Sequence, residues 1–130
     1  MAKKNYDIEK LFKALADRTR LRLIGLLGDS EVCVCFLVEI LKTSQPKISR
    51  HLAYLRRAQI VSARREGKWM HYRLTDPPDE VAARIFREVR ASLGEDAEFQ
   101  RDREKLERVC CAVQLPVPLR HAPRPVQTVG

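Results

Sequence analysis

The chain has 130 residues and 45% apolar content, which fit one domain and exclude a two-domain catalytic enzyme. No apolar run approaches the ~20 residues that cross a bilayer, and the first residues lack the apolar core of a secretory signal, so we expect a cytoplasmic protein. The net charge of +8 is concentrated in residues 42–73, which hold nine basic side chains and one acidic. A polyanionic partner is therefore expected there.

Two amphipathic helices are predicted first. Residues 7–16 carry apolar side chains at helical spacing, and Asp17 is a suitable N-cap for a second helix that Gly28 would end. Ser30 is then a candidate cap for a short apolar helix, Cys33–Leu41, and Ser44 for a basic helix from Gln45 to about residue 58.

Two strands follow, at residues 60–63 and 69–74, joined by a polar turn that contains Gly67. Residues 79–93 form another amphipathic helix, and residues 95–109 a further, more charged one. The prediction is a mainly α fold with a small β-hairpin, a dimeric winged helix-turn-helix. We assign residues 1–109 to the DNA-binding and dimerisation domain, and residues 110–130 to a vicinal-cysteine segment and a Pro-rich disordered tail.

The helix from Gln45 places three apolar residues on one face, so the opposite face is expected to meet double-stranded DNA. Its leading residues would contact bases or nearby phosphates, its later ones the backbone, and the hairpin tip an adjacent minor groove. The alternative is that these charges form an ordinary solvent-exposed surface with no DNA partner. The candidate DNA contacts are Gln45, Lys47, Ser49, Arg50, Tyr54, Arg57, Arg65 and Lys68.

The run from Glu31 to Leu41, with Cys33-Val34-Cys35, resembles the metal-binding helix of arsenic-responsive repressors of the ArsR/SmtB family. The resemblance continues through residues 44–52 and 64–68 and covers about residues 7–93. It implies a repressor that binds operator DNA as a homodimer and is released by trivalent arsenic or antimony. The inducer would be the ligand, with no permanent cofactor.

Two cysteines at positions i and i+2 of a regular helix are about 200° apart, so binding one ion through both would have to distort the helix. Unwinding its first turn would move the next helix, the one from Gln45, which is the expected DNA-recognition helix. A helix N-terminus also favours the thiolate, the form that coordinates soft ions. The alternative is that Cys33 and Cys35 are small buried apolar residues.

Arsenite-responsive members of the family often carry a third cysteine three residues after the second, where this chain has Val38. Cys110 or Cys111, from the same protomer or its partner, is then the candidate third metal ligand. A methylated trivalent arsenical would need only two thiolates, and a thiol-redox switch would need no metalloid. Zinc, cadmium or lead sensing is disfavoured because the 79–93 helix has no histidine.

A thiol enzyme such as an arsenate reductase is disfavoured, because no Gly-rich loop or Cys-x5-Arg pattern surrounds any cysteine. An architectural DNA-binding protein without a ligand remains the other alternative. We expect a homodimer whose interface uses the apolar faces of residues 8–15 and 81–89, although either face could instead be ordinary core.

Overall fold

The computed structural model describes residues 6–110 and 117–127. In these residues there are six α-helices and a four-stranded antiparallel sheet, and one 3₁₀ turn, Val117–Leu119, follows the last helix. The helices are α1 (Ile8–Leu15), α2 (Arg18–Leu27), α3 (Val34–Leu41), α4 (Gln45–Arg57), α5 (Glu80–Leu93) and α6 (Ala97–Cys110). The strands are β1 (Ser30–Cys33), β2 (Val61–Glu66), β3 (Trp69–Leu74) and β4 (Val126–Gln127), in the order β2-β3-β1-β4.

Local signals set most helix ends as predicted. The Asp17 carboxylate accepts a hydrogen bond from the backbone N–H of Arg20 at 3.1 Å and caps α2. Gly28 ends that helix with φ of +46°, a left-handed value that favours glycine. Asp79 caps α5 in the same way as Asp17, through the N–H of Ala82 at 3.0 Å.

The order of α3, α4 and the β2–β3 hairpin is that of a winged helix-turn-helix. The hairpin pairs residues from Val61 opposite Leu74 to Glu66 opposite Trp69, and Gly67, with φ of +61°, lies in its turn. We call this hairpin, residues 61–74, the wing. Buried side chains of α2, α3 and α4 form the centre of the core below it, which fixes the recognition helix against the rest of the domain.

The start of the cysteine-bearing helix differs from the prediction. Ser30 does not cap it: Ser30–Cys33 is extended and pairs with β3 on one side and β4 on the other, and the helix begins at Val34 with Cys33 as its N-cap residue. The sheet therefore has more than the two predicted strands. Pairing with distant segments overrides the helical pattern of this short stretch.

The C-terminal region also differs from the predicted disordered tail. The described residues 117–127 lie against the domain, with Leu119 1% exposed and β4 paired with Ser30 and Glu31 of β1. Helix α6 packs against α2 and α3 and runs through Cys110, past the predicted boundary. Among the described residues, no helix is long and apolar enough to span a membrane.

Candidate DNA-binding surface and thiol site

Helix α4 has one buried and one exposed face. Ile48, Leu52 and Leu55 are completely buried, which anchors the helix against the core. The residues predicted to contact DNA are all exposed: Gln45, Lys47, Ser49, Arg50, Tyr54 and Arg57 on α4, with Arg65 and Lys68 at the wing. The helix and the wing thus each present exposed basic side chains, which suit the grooves and phosphates of duplex DNA.

Tyr54 lies between two guanidinium groups. The Arg20 guanidinium carbon is 4.3 Å from the Tyr54 ring centroid and that of Arg57 is 4.8 Å from it. These contacts hold the phenol on the exposed side of α4, because cations favour the faces of aromatic rings.

Arg20 was not predicted as part of this surface. Its guanidinium donates hydrogen bonds to the carbonyl oxygens of Ala14 and Lys13, at 2.8 Å and 2.9 Å, and lies 3.3 Å from Nδ1 of His51. It therefore ties α1 and α2 to the recognition helix. Nothing in the sequence distinguishes it from the other basic residues, because its partners are far apart along the chain.

The thiols of Cys33 and Cys35 lie at the junction of β1 and α3. Cys33 is the last residue of β1, is extended (φ −69°, ψ 142°) and is completely buried, whereas Cys35 in the first turn of α3 is partly exposed. Because Cys33 is not helical, the angular separation expected for a regular helix does not apply. Because Cys33 is already extended, binding one ion through both thiols does not require a regular helical turn to unwind.

The protonation of Cys33 also differs from the prediction. Burial raises the pKa of the Cys33 thiol to about 11, and the neighbouring Cys35 thiol adds to this effect. Backbone N–H groups of Cys35 and Val34 act in the opposite direction, as a helix N-terminus should. Burial outweighs them, because a thiolate loses more hydration than these N–H groups replace.

The third candidate ligands lie at and beyond the end of α6. Cys110 is partly buried, its Sγ lies 3.6 Å from the carbonyl oxygen of Glu107, and its own carbonyl oxygen accepts a hydrogen bond from Arg124. Cys111 lies outside the described residues. Within residues 6–110 and 117–127, no three histidine, cysteine or acidic side chains come together as a metal site. Cys33, Cys35 and Cys110 are therefore not assembled in this conformation.

A charged pair beside the thiols links β1 to the wing. Arg64 donates to Glu31 through Nε at 3.0 Å and Nη2 at 2.7 Å. This arginine lowers the pKa of the Glu31 carboxyl, and Glu31 in turn raises the pKa of the Arg64 guanidinium. Glu31 belongs to the predicted metal-binding motif, but its pairing with Arg64 is not predictable from the sequence because the contact depends on the sheet.

A family model and the curated relatives of this chain point to the same family of proteins. Residues 17–63 match the model of the bacterial regulatory proteins of the arsR family. An arsenical resistance operon repressor of Escherichia coli is 51% identical over 81 residues, which cover 62% of this chain and 69% of the relative.

Solved structures agree with this match. The antimony-specific repressor AntR superposes with a TM-score of 0.52 at 35% identity, covering 70% of this chain and 79% of AntR. A homodimeric winged helix-turn-helix DNA-binding domain from Mycobacterium bovis gives 0.55 at 28% identity, over 75% and 94% of the two chains. By sequence and by fold, this chain belongs to the arsR family of bacterial regulatory proteins.

Proposed function

We propose that this protein is a metalloid-responsive repressor that binds operator DNA as a homodimer and releases it when trivalent arsenic or antimony bridges Cys33 and Cys35. The observation that carries the proposal is the position of the thiol pair. Both thiols lie at the start of α3, which directly precedes the recognition helix α4. Binding at this junction can therefore alter the placement of α4.

The chemistry of the pair supports a soft, thiophilic ligand. Two cysteine thiols two residues apart, with no cluster of three metal-ligating side chains among the described residues, suit trivalent arsenic or antimony better than a hard cation. The E. coli relative is an arsenical resistance operon repressor, and AntR is antimony-specific. Because Cys110 does not join the pair in the described conformation, a methylated trivalent arsenical, which takes two thiolates, is a second candidate inducer.

Basic charge and symmetry support the mode of DNA binding. The exposed residues of α4 would read the major groove, and Arg65 and Lys68 of the wing would reach the flanking phosphates or minor groove. A single helix and wing cover a short half-site, so two protomers on a two-fold operator give the affinity that a repressor needs. The homodimeric M. bovis neighbour is consistent with this assembly.

The test is fluorescence anisotropy of the reduced protein on its upstream DNA, titrated separately with arsenite, a methylated trivalent arsenical, zinc and peroxide. Wild type should be released by a trivalent arsenical, and Cys33→Ser and Cys35→Ser should stay bound. Cys110→Ser and Cys111→Ser test the third ligand. If either variant loses only its response to arsenite, the substituted cysteine belongs to the site. Release by peroxide but not by arsenicals would instead make the protein a redox switch. Binding without release by any of the four would disprove the thiol switch.

A further inference from the structure

The strand that carries Cys33 also belongs to the sheet of the wing. Val32 and Cys33 of β1 lie directly opposite Tyr72 and His71 of β3, and His71 in turn lies opposite Arg64 of β2. Cys33 is thus two strands away from the outer edge of the wing. A displacement of Cys33 therefore acts on the wing directly, through the backbone pairing of β1 with β3.

Alternation along the strands places a polar cluster on one face of this sheet. Glu31 and Cys33 share that face with His71 of β3 and with Arg64 and Glu66 of β2. Glu31 is bound by both nitrogens of the Arg64 fork, at 3.0 and 2.7 Å. His71, 4% exposed, places Nε2 3.0 Å from Oε1 of Glu66, and Arg64 Nη2 lies 3.8 Å from the same oxygen. The contacts form a continuous path from β1 to the hairpin turn.

The burial of Cys33 means that a ligand cannot reach its sulfur without movement. Its exposed fraction is 0%, and it is held by the β1–β3 pairing on one side and by α3 on the other. A trivalent arsenic atom bonded to Cys33 and Cys35 must therefore displace the end of β1 or the groups that cover it. Glu31 is two residues earlier in the same four-residue strand, so it moves with that end.

We infer that β1 transmits ligand binding at the thiol pair to the wing, and that the Glu31–Arg64 ion pair is the positioning contact that carries it. This inference rests on the proposed function, since it describes how the same thiol site lowers DNA affinity. The fork of an arginine on a carboxylate fixes relative position as well as distance. The pair is partly exposed, with 15% of the Glu31 side chain and 53% of the Arg64 side chain accessible, so its role is coupling rather than overall stability.

The chain provides its own reporter for this movement. Trp69 is the single tryptophan, it lies at the start of β3 opposite Glu66, and the Lys68 ammonium is 5.2 Å from its ring centroid. Its fluorescence therefore reports on the surroundings of the wing. Arsenite should change the Trp69 emission of the free wild-type protein.

The decisive variant is Glu31→Gln, which keeps the shape of the side chain and removes the charge. Glu39→Gln is the matched control, because Glu39 is on α3 and forms its ion pair with Lys42 at the end of the same helix, at 3.0 Å. For each protein, arsenite binding is followed by arsenic–thiolate absorbance, DNA affinity by anisotropy with and without arsenite, and wing movement by Trp69 emission.

We expect Glu31→Gln to bind arsenite like wild type but to lose most of the release. The ratio of DNA affinities without and with arsenite should fall to about one fifth of the wild-type ratio or less, a loss comparable to a typical coupling between sites. The Trp69 response should shrink in parallel. Glu39→Gln should behave as wild type, and Arg64→Gln combined with Glu31→Gln should lose no more coupling than either change alone.

The other outcomes separate the two proposals. If wild type is released by arsenite and Glu31→Gln is released equally, the wing coupling is wrong and the thiol switch stands. If Glu31→Gln fails to bind arsenite, Glu31 belongs to the binding site and the coupling role is likewise overturned. If wild type itself binds arsenite and keeps its DNA, the proposed function fails and the coupling fails with it.

Discussion

The Arg22 guanidinium binds the Asp102 carboxylate through two hydrogen bonds, Nε to Oδ2 at 2.8 Å and Nη2 to Oδ1 at 2.9 Å. Asp102 is 5% exposed and lies on α6, whereas Arg22 lies on α2, 80 residues earlier. The pair joins α6 to α2, which packs beneath α4. It also raises the pKa of the Arg22 guanidinium, since the bound carboxylate favours the charged form.

Asp102→Asn should therefore destabilise the domain. The substitution leaves the Arg22 guanidinium with only the longer ion pair to Glu98, at 3.5 Å, and because 24% of the Arg22 side chain is accessible we expect a loss of about 2 kcal/mol in the free energy of unfolding. Urea denaturation measures it. The control is Asp76→Asn, whose partner Arg87 lies 3.2 Å away in an exposed pair and should contribute less than about 0.5 kcal/mol. Equal effects would argue against a fastening role for Arg22 and Asp102.

Arg50→Ala should weaken binding to operator DNA without affecting the fold. Arg50 is exposed on α4, and a homodimer would lose one contact in each half-site. We expect an affinity loss of about tenfold or more, and a decrease of about two in the slope of log affinity against log salt if both contacts are to phosphates. Anisotropy at several salt concentrations measures both.

Arg101→Ala is the matched control for this change. Arg101 is an exposed arginine on α6, so the variant loses the same charge away from α4 and the wing. Equal weakening in both variants would show that net charge, and not the recognition helix, determines the affinity.

The proposed dimer can be tested at two exposed apolar side chains. Phe12 on α1 is 51% exposed and Val81 on α5 is 42% exposed, whereas Leu11 and Phe86 of the predicted interface faces belong to the core. Phe12→Glu and Val81→Glu should each shift the protein toward the monomer, because a charge buried in an interface is costly. Sedimentation velocity at micromolar concentration gives the mass.

Val126→Glu serves as the control for the dimer test. Val126 is 62% exposed on β4, so it is equally apolar and accessible but lies outside the two predicted faces. This variant should keep the mass of the wild type. A monomeric wild type, or dissociation by Val126→Glu alone, would contradict the proposed interface.

The raised pKa of Cys33 predicts a specific loss of stability at alkaline pH. The pKa of the Cys33 thiol is 9.0 in the unfolded chain and about 11 in the folded one. The stability that the protonated thiol contributes is therefore fully present below pH 9 and is lost as pH rises toward 11. By about pH 10.5 the loss should reach about 2 kcal/mol relative to pH 8.

The measurement is urea denaturation under reducing conditions at both pH values, for wild type and Cys33→Ala. Other groups, among them Tyr6 and Tyr72 with pKa values raised by burial, titrate in both proteins and cancel in the difference. A pH dependence identical in the two proteins would show that the folded thiol is not protected from ionisation.

Local signals in the sequence were sufficient for most helices. Asp17 begins α2 because its carboxylate can accept backbone N–H bonds, and Gly28 ends it because glycine adopts positive φ. Both are properties of single residues. Ile48, Leu52 and Leu55 recur at helical spacing, and this alone predicts which side of α4 is exposed. Fold class and the candidate DNA surface follow from such short-range patterns.

Long-range contacts set the surroundings of the thiols. Residues 30–33 became a strand because β3 and β4 pair with them, and Cys33 became buried, with a raised pKa, because the sheet and core enclose it. Glu31 and Arg64 are 33 positions apart, so their contact is absent from any local pattern. Residue types and their spacing were enough to predict which side chains would bind a soft ion or DNA. The burial and pairing of these side chains depend on long-range contacts, whose free energy exceeds local propensity.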